Sequence, residues 1–222
     1  MSISPSADAR PPQRQRGRLR VAAILEAGAA AFREKGYDAV TMTEIAARSG
    51  TTFGSLYRFF PSKEALANAL LAQYAERALD RLAEIADLAP AMTPAALADA
   101  LIDFMMKLQS ERSFAMPLME AGAGDSAKRE AFRAAFRASM STIMLRAFPD
   151  CGQARAQAMT AVVLHILKGL ATAAPEKQAD ARLLRAEFQD LLCLYLGSRA
   201  RVGSDSPPAR RTGPKPKLRG GP

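Results

Sequence analysis

The chain has little of what metal binding or acid–base chemistry requires: its 222 residues include one histidine and two cysteines. Cys151 and Cys193 lie far apart with no ligand-like spacing, which argues against a disulfide framework and against a zinc site and leaves them as buried thiols. A redox sensor built on either would need a reactive thiolate, of which the sequence gives no sign. With no thiol–base pair close in sequence, no glycine-rich phosphate loop and no metal-ligand cluster, catalysis has little support, and neither metal nor cofactor is expected. Long apolar runs are missing as well. No stretch of about 18 uncharged apolar residues occurs, and the N-terminus is polar and arginine-bearing without an apolar signal core. Neither a membrane partner nor secretion is indicated, and the expected compartment is the cytoplasm.

Acidic residues are outnumbered, giving a net charge of +9. The excess sits at the ends. Residues 1–20 carry Arg10, Arg14, Arg16, Arg18 and Arg20 against Asp8, and residues 203–222 carry Arg210, Arg211, Lys215, Lys217 and Arg219 against Asp205. The body between them is nearly neutral. Basic, Pro/Gly-rich arms on a neutral globule suit a polyanionic partner, since such arms are drawn to phosphates without a fold of their own. Residues 1–17 and 203–222 lack hydrophobic periodicity and are expected to be disordered basic arms.

Between the arms nearly everything reads as helix, and the hydrophobic fraction of 49% is ample for a core. From Arg18, the positions Val21, Ile24, Leu25, Gly28, Ala31 and Phe32 follow the three-and-four spacing of one helical face, stopped at Gly36. Thr41 with Glu44 three residues later is a capping-box signature, and the short helix it opens stops at Gly50. Thr51 and Thr52 can cap a second short helix, "FGSLYRFF", which Pro61 ends. Ser62 then caps a long amphipathic helix. Further helices are predicted over residues 93–109, 113–121, 125–148, 153–174 and 179–201, with no credible strand. "MTAVVLHILKGL" (159–170) and "LLCLYLG" (191–197) are apolar on nearly every side, so both need cover on more than one face, as at a two-fold subunit interface.

A short helix, a Gly-containing turn and a second short helix form the helix-turn-helix layout, here at about residues 41–60. Ile45, Ala46, Leu56, Phe60 and Phe32 supply a small core that fixes the crossing angle. Thr41, Thr52 and the N–H groups at both helix starts can hold phosphates. Base reading falls to Thr52, Phe53, Ser55 and Arg58. Arg58 can pair with guanine O6 and N7, Ser55 can bond several bases, and Phe53 can offer only apolar contact, to a thymine methyl for example. Gly54 lets the helix approach closely, while Tyr57 and Lys63 are better placed for phosphates.

Residues from about 18 to 66 resemble the TetR family of bacterial transcriptional regulators. The likeness is carried by "ILEAGAAAFREKGYDAVTMTEIAARSG" and "GSLYRFFPSKEAL", under a quarter of the chain but with many matches in order. Phe53 departs from the polar or basic residue often found there. The resemblance implies an all-α protein of about nine helices, dimeric through the last two, with an effector pocket in the larger domain and phosphate contacts by Thr41, Tyr57 and Lys63. The expected organisation is a DNA-binding domain at 18–64 and an effector-binding and dimerisation domain at 65–202. The partners expected are a double-stranded DNA operator, a second copy of the chain and a small-molecule effector, with the protein on the nucleoid when bound.

No family-wide motif marks residues 65–202. Met and Phe residues concentrate in the middle helices, where flexible thioethers and rings can line an adaptable cavity. The candidate pocket residues are Phe104, Met105, Arg112, Met116, Met119, Glu120, Met140 and His165. His165 shares a helical face with Lys168. Two function classes follow: a ligand-responsive, sequence-specific repressor, and a non-specific or architectural nucleic-acid binder driven by its arms. Specific against random DNA at fixed salt separates them.

Overall fold

A computed structural model describes residues 13–173 and 178–204. Among these residues the chain forms nine α-helices and no strand. They are α1 (Gln13–Lys35), α2 (Met42–Arg48), α3 (Phe53–Phe59), α4 (Lys63–Leu88), α5 (Pro94–Lys107), α6 (Gln109–Glu120), α7 (Ser126–Ala147), α8 (Gly152–Thr172) and α9 (Gln178–Ser204). Short 3-10 turns at Ala89–Ala91 and Pro149–Cys151 separate α4 from α5 and α7 from α8. The basic arm residues 1–12 and 205–222 lie outside the described residues.

The helix starts fall where side-chain oxygens meet free N–H groups. Thr41, Thr52, Ser62 and Thr93 each accept a bond from the amide three residues on, and Asp125 accepts from Ala127 and Lys128. Helix α1 begins at Gln13, five residues ahead of the start expected at Arg18. Residues 13–17 carry no apolar side chain, so no hydrophobic periodicity marked them, while Gln and Arg favour helix intrinsically. The helix ends at Lys35, and Gly36 takes φ 79°, a left-handed conformation that closes α1 and turns the chain towards α2. The expected helices at 93–109 and 113–121 are nearly continuous, with Leu108 as the single residue between α5 and α6.

The expected small core is present: Phe32, Ile45, Ala46, Leu56 and Phe60 are all buried. Gly28 lets α1 lie close on α4, because a Cβ there would meet Leu66 Cδ2 at 3.0 Å. Helix α1 therefore sits against the first turns of α4, while α2 packs on α1 and α3 on α2. In the larger part α4 packs on α7, α7 on α8, and α5 on α9. Side-chain ties fix these layers: Arg146 pairs with Asp87 at 2.8 Å, Arg185 with Asp103 at 2.8 Å, and the Asp125 amide donates to Asn68 Oδ1 at 2.8 Å. Among the described residues no helix is long and apolar enough to cross a membrane.

Candidate nucleic-acid interface

Helices α2 and α3 are only seven residues each, too short to persist alone, so their geometry depends on how they are fastened. Two devices fasten α2 and the loop that leads into it. The first is an ion-pair ladder across α1 and α2: Glu44 Oε1 accepts from Lys35 Nζ and from Arg48 NH2, each at 2.8 Å, and Arg48 NH1 donates to Glu34 Oε2 at 2.7 Å. The hydrogen bond from Lys35, with the charges of Lys35 and Arg48, holds the Glu44 carboxyl below the usual carboxylate range, and Glu34 raises Arg48. This corrects half of the expected capping box. Thr41 does accept from the Glu44 amide at 3.2 Å, but the Glu44 carboxylate faces the two cations. The electrostatic gain from paired cations outweighs a single bond to a neutral amide.

The second device is Lys63. Its ammonium donates to the carbonyls of Tyr37, Asp38 and Val40 at 2.8, 3.2 and 3.1 Å, and lies 4.5 Å from the centroid of the Tyr37 ring. All its donors are thus engaged on the loop that joins α1 to α2. In this arrangement Lys63 acts as a clasp on the back of the motif, and presents no free N–H to a phosphate.

On the front of α3 the residues divide sharply. Phe53 is 52% exposed and Tyr57 39% exposed. One turn apart, their rings meet in a tilted contact at 4.5 Å between centroids. Arg58 is exposed, with its guanidinium 5.4 Å from the Phe59 ring, an arrangement that limits its freedom while leaving its donors outward. Gly54 is exposed with open space about it. Ser55 behaves differently from the expectation: its Oγ is buried and unpaired. Thr41 and Thr52 are exposed, and each hydroxyl accepts one bond from its own helix while keeping an O–H to donate. The structure therefore brings Thr52, Phe53, Gly54, Tyr57 and Arg58 to one accessible element, with Thr41 at the start of the preceding helix.

Of the expected effector residues, Arg112 lies beside Met105, its NH1 3.6 Å from the sulfur. Phe104, Met105, Met119 and Met140 are buried in the continuous core, Arg112 and Met116 are half-buried, and Glu120 and His165 are exposed. His165 Nδ1 lies 2.7 Å from the Ala161 carbonyl of its own helix. A cleft of about 260 Å³ opens elsewhere, between α1, α4 and α6. Leu25, Leu70, Tyr74, Arg77, Glu111 and Phe114 contribute to its wall. Sequence reasoning passed over all of these. The available signal was the pair of facing i, i+3, i+4, i+7 stripes, one with alanines at its outer positions.

A short core-locked helix offered outward beside a braced partner is the helix-turn-helix layout of DNA-binding domains. Residues 24–70 match the family described as "Bacterial regulatory proteins, tetR family". Over that segment the chain is similar to the tetR family. Solved structures agree in fold over most of the chain. A putative TetR-family transcriptional regulator from Mesorhizobium loti MAFF303099 is 15% identical with a TM-score of 0.62, covering 84% of this chain and 98% of that one. Salmonella enterica GusR is 21% identical with a TM-score of 0.59, covering 87% and 100%. A gamma-butyrolactone receptor (ArpA-like protein) is 20% identical with a TM-score of 0.55, covering 83% and 98%. No curated relative matches the chain.

Proposed function

We propose that this DNA-binding regulator is a homodimeric repressor of a palindromic operator, released by a small-molecule effector. The observation that carries the DNA reading is the outward face of α3, where Phe53, Tyr57 and Arg58 stand exposed above a buried Leu56. Arg58 pairs with a guanine edge. Phe53 and Tyr57 supply apolar contact to pyrimidine methyl groups, and Thr41 and Thr52 donate to flanking phosphates. Lys63 contributes by holding the α1–α2 loop, which keeps Thr41 and the start of α2 in position. The arginines of the N-terminal arm add phosphate or minor-groove contacts that raise affinity without specifying sequence.

Dimerisation is proposed through α8 and α9. Val162, Leu183, Leu191 and Leu194 are 40%, 64%, 50% and 68% exposed, an apolar load too large for a solvated face. A two-fold pairing of α8 and α9 would cover it and set two α3 helices one duplex turn apart, about 34 Å. An effector that favours a different tilt of α4 misregisters one of them, with a coupling of about 1 to 3 kcal/mol. Small-molecule response is supported by the fold shared with the gamma-butyrolactone receptor. The test is a titration of the purified protein against its selected operator and against random duplex at fixed salt. A large preference for the operator supports a regulator, and equal binding supports an architectural role.

A further inference from the structure

The first turn of α3 is short of polar side chains. Phe53 has no hydrogen-bonding side-chain atom, Gly54 has no side chain, and the Ser55 hydroxyl oxygen is buried and unpaired. Gly54 has open space about it, so the backbone can approach a base edge closely there. One turn on, the Tyr57 ring lies 4.5 Å from that of Phe53, and both side chains are exposed. The Arg58 guanidinium rests 5.4 Å from the Phe59 ring, and its donors are taken up by the guanine edge assigned to it above.

The contact left to Phe53 and Tyr57 is apolar. Thymine carries its C5 methyl beside the O4 acceptor, and 5-methylcytosine carries the same methyl beside an N4–H2 donor. Telling the two bases apart takes a fixed donor or a fixed acceptor at that edge. Phe53 supplies neither. The Tyr57 hydroxyl supplies both, since a phenol can donate to O4 or accept from N4–H2. An unmethylated cytosine leaves the rings no methyl to cover.

We infer that α3 reads the C5 methyl of a pyrimidine without reading which pyrimidine carries it, so that 5-methylcytosine is accepted in place of thymine. Where cytosine stands at such a position, its enzymatic methylation would raise occupancy of the site. The methylation state of the duplex would then be an input alongside any effector. This rests on the DNA-binding reading above and on the phosphate role given there to Thr52, whose O–H would favour O4 if it met the same base.

The test uses the full chain and its selected operator, in which deoxyuridine scanning marks the thymines whose methyl is felt. At each marked position four duplexes are compared, carrying T·A, U·A, 5-methylcytosine·G or C·G. Within each pair only the methyl differs, so the change of purine partner cancels. The methyl should tighten binding about fourfold in both pairs, the worth of one buried carbon. Phe53→Ala should bring both ratios close to one together, with circular dichroism confirming that the variant is folded. Photocrosslinking of the unaltered chain to 5-iododeoxyuridine at the same positions is independent of any variant and should label Phe53 or Tyr57. A scan that marks no thymine, a gain below about twofold on methylating cytosine, or crosslinks confined to other residues overturns the inference. A chain that selects no operator removes the DNA reading, whereas operator selection without a methyl response in the cytosine pair removes this inference alone.

Discussion

The ring of Phe53 packs against that of Tyr57 at 4.5 Å between centroids and an inclination of 50°, and both side chains are exposed on α3. Mutual contact restricts each ring before any partner arrives, so less side-chain entropy is lost on contact. The pair is therefore a preformed apolar reader. Among the base edges of the major groove, only thymine offers a methyl group for it to cover.

Replacing thymine by deoxyuridine at the positions opposite α3 should weaken operator binding about fourfold per methyl removed, from roughly 0.8 kcal/mol of apolar transfer. In Phe53→Ala the same replacement should cost little, because the reader is gone. A deoxyuridine penalty that is unchanged in Phe53→Ala would assign the methyl contact elsewhere.

Lys63→Met removes three donors from the carbonyls of Tyr37, Asp38 and Val40 and should destabilise the protein by about 2 kcal/mol. For a chain of this size the melting midpoint should fall by about 6 °C. If Lys63 served DNA alone, the variant would melt like the parent.

The Glu44 carboxyl is held below its ordinary pKa in the folded state by Lys35 and Arg48. Its contribution is complete above the ordinary carboxylate range and is lost as the pH falls through the lowered folded value. Glu44→Gln should therefore narrow its stability gap to the parent as the pH is lowered into that range, measured by urea unfolding. The difference is small because the ladder is exposed and salt screens it.

Leu191→Glu combined with Leu194→Glu places charge on the exposed face of α9 without opening the core, since both side chains are already accessible. Sedimentation should show a shift to monomer with helix content retained. Operator affinity should fall by orders of magnitude with the loss of paired half-sites. A variant that stays dimeric would place the interface on another face.

The sequence was most legible where a feature is local. The caps at Thr41, Thr52 and Ser62 and the buried positions Ile45, Ala46 and Leu56 follow from spacing and residue type, and they sit as expected. Features that depend on groups meeting across the fold were not legible. Lys63 faces carbonyls more than twenty residues earlier, and no pattern along the chain records that those three oxygens converge. Glu44 had to choose between a neighbouring amide and two cations, one of them on another helix. The methionines and phenylalanines of the middle helices mark core and cavity alike. The cleft arose instead where alanines face α4 and α6, a deficit of volume that hydrophobicity does not register.

Selection of bound sequences from random duplex DNA at physiological salt tests the central claim most directly. The account predicts a palindrome whose half-site centres lie one helical turn apart, bound at least about a thousandfold more tightly than unrelated duplex. Sequences without two-fold symmetry, or a preference near one, would contradict it.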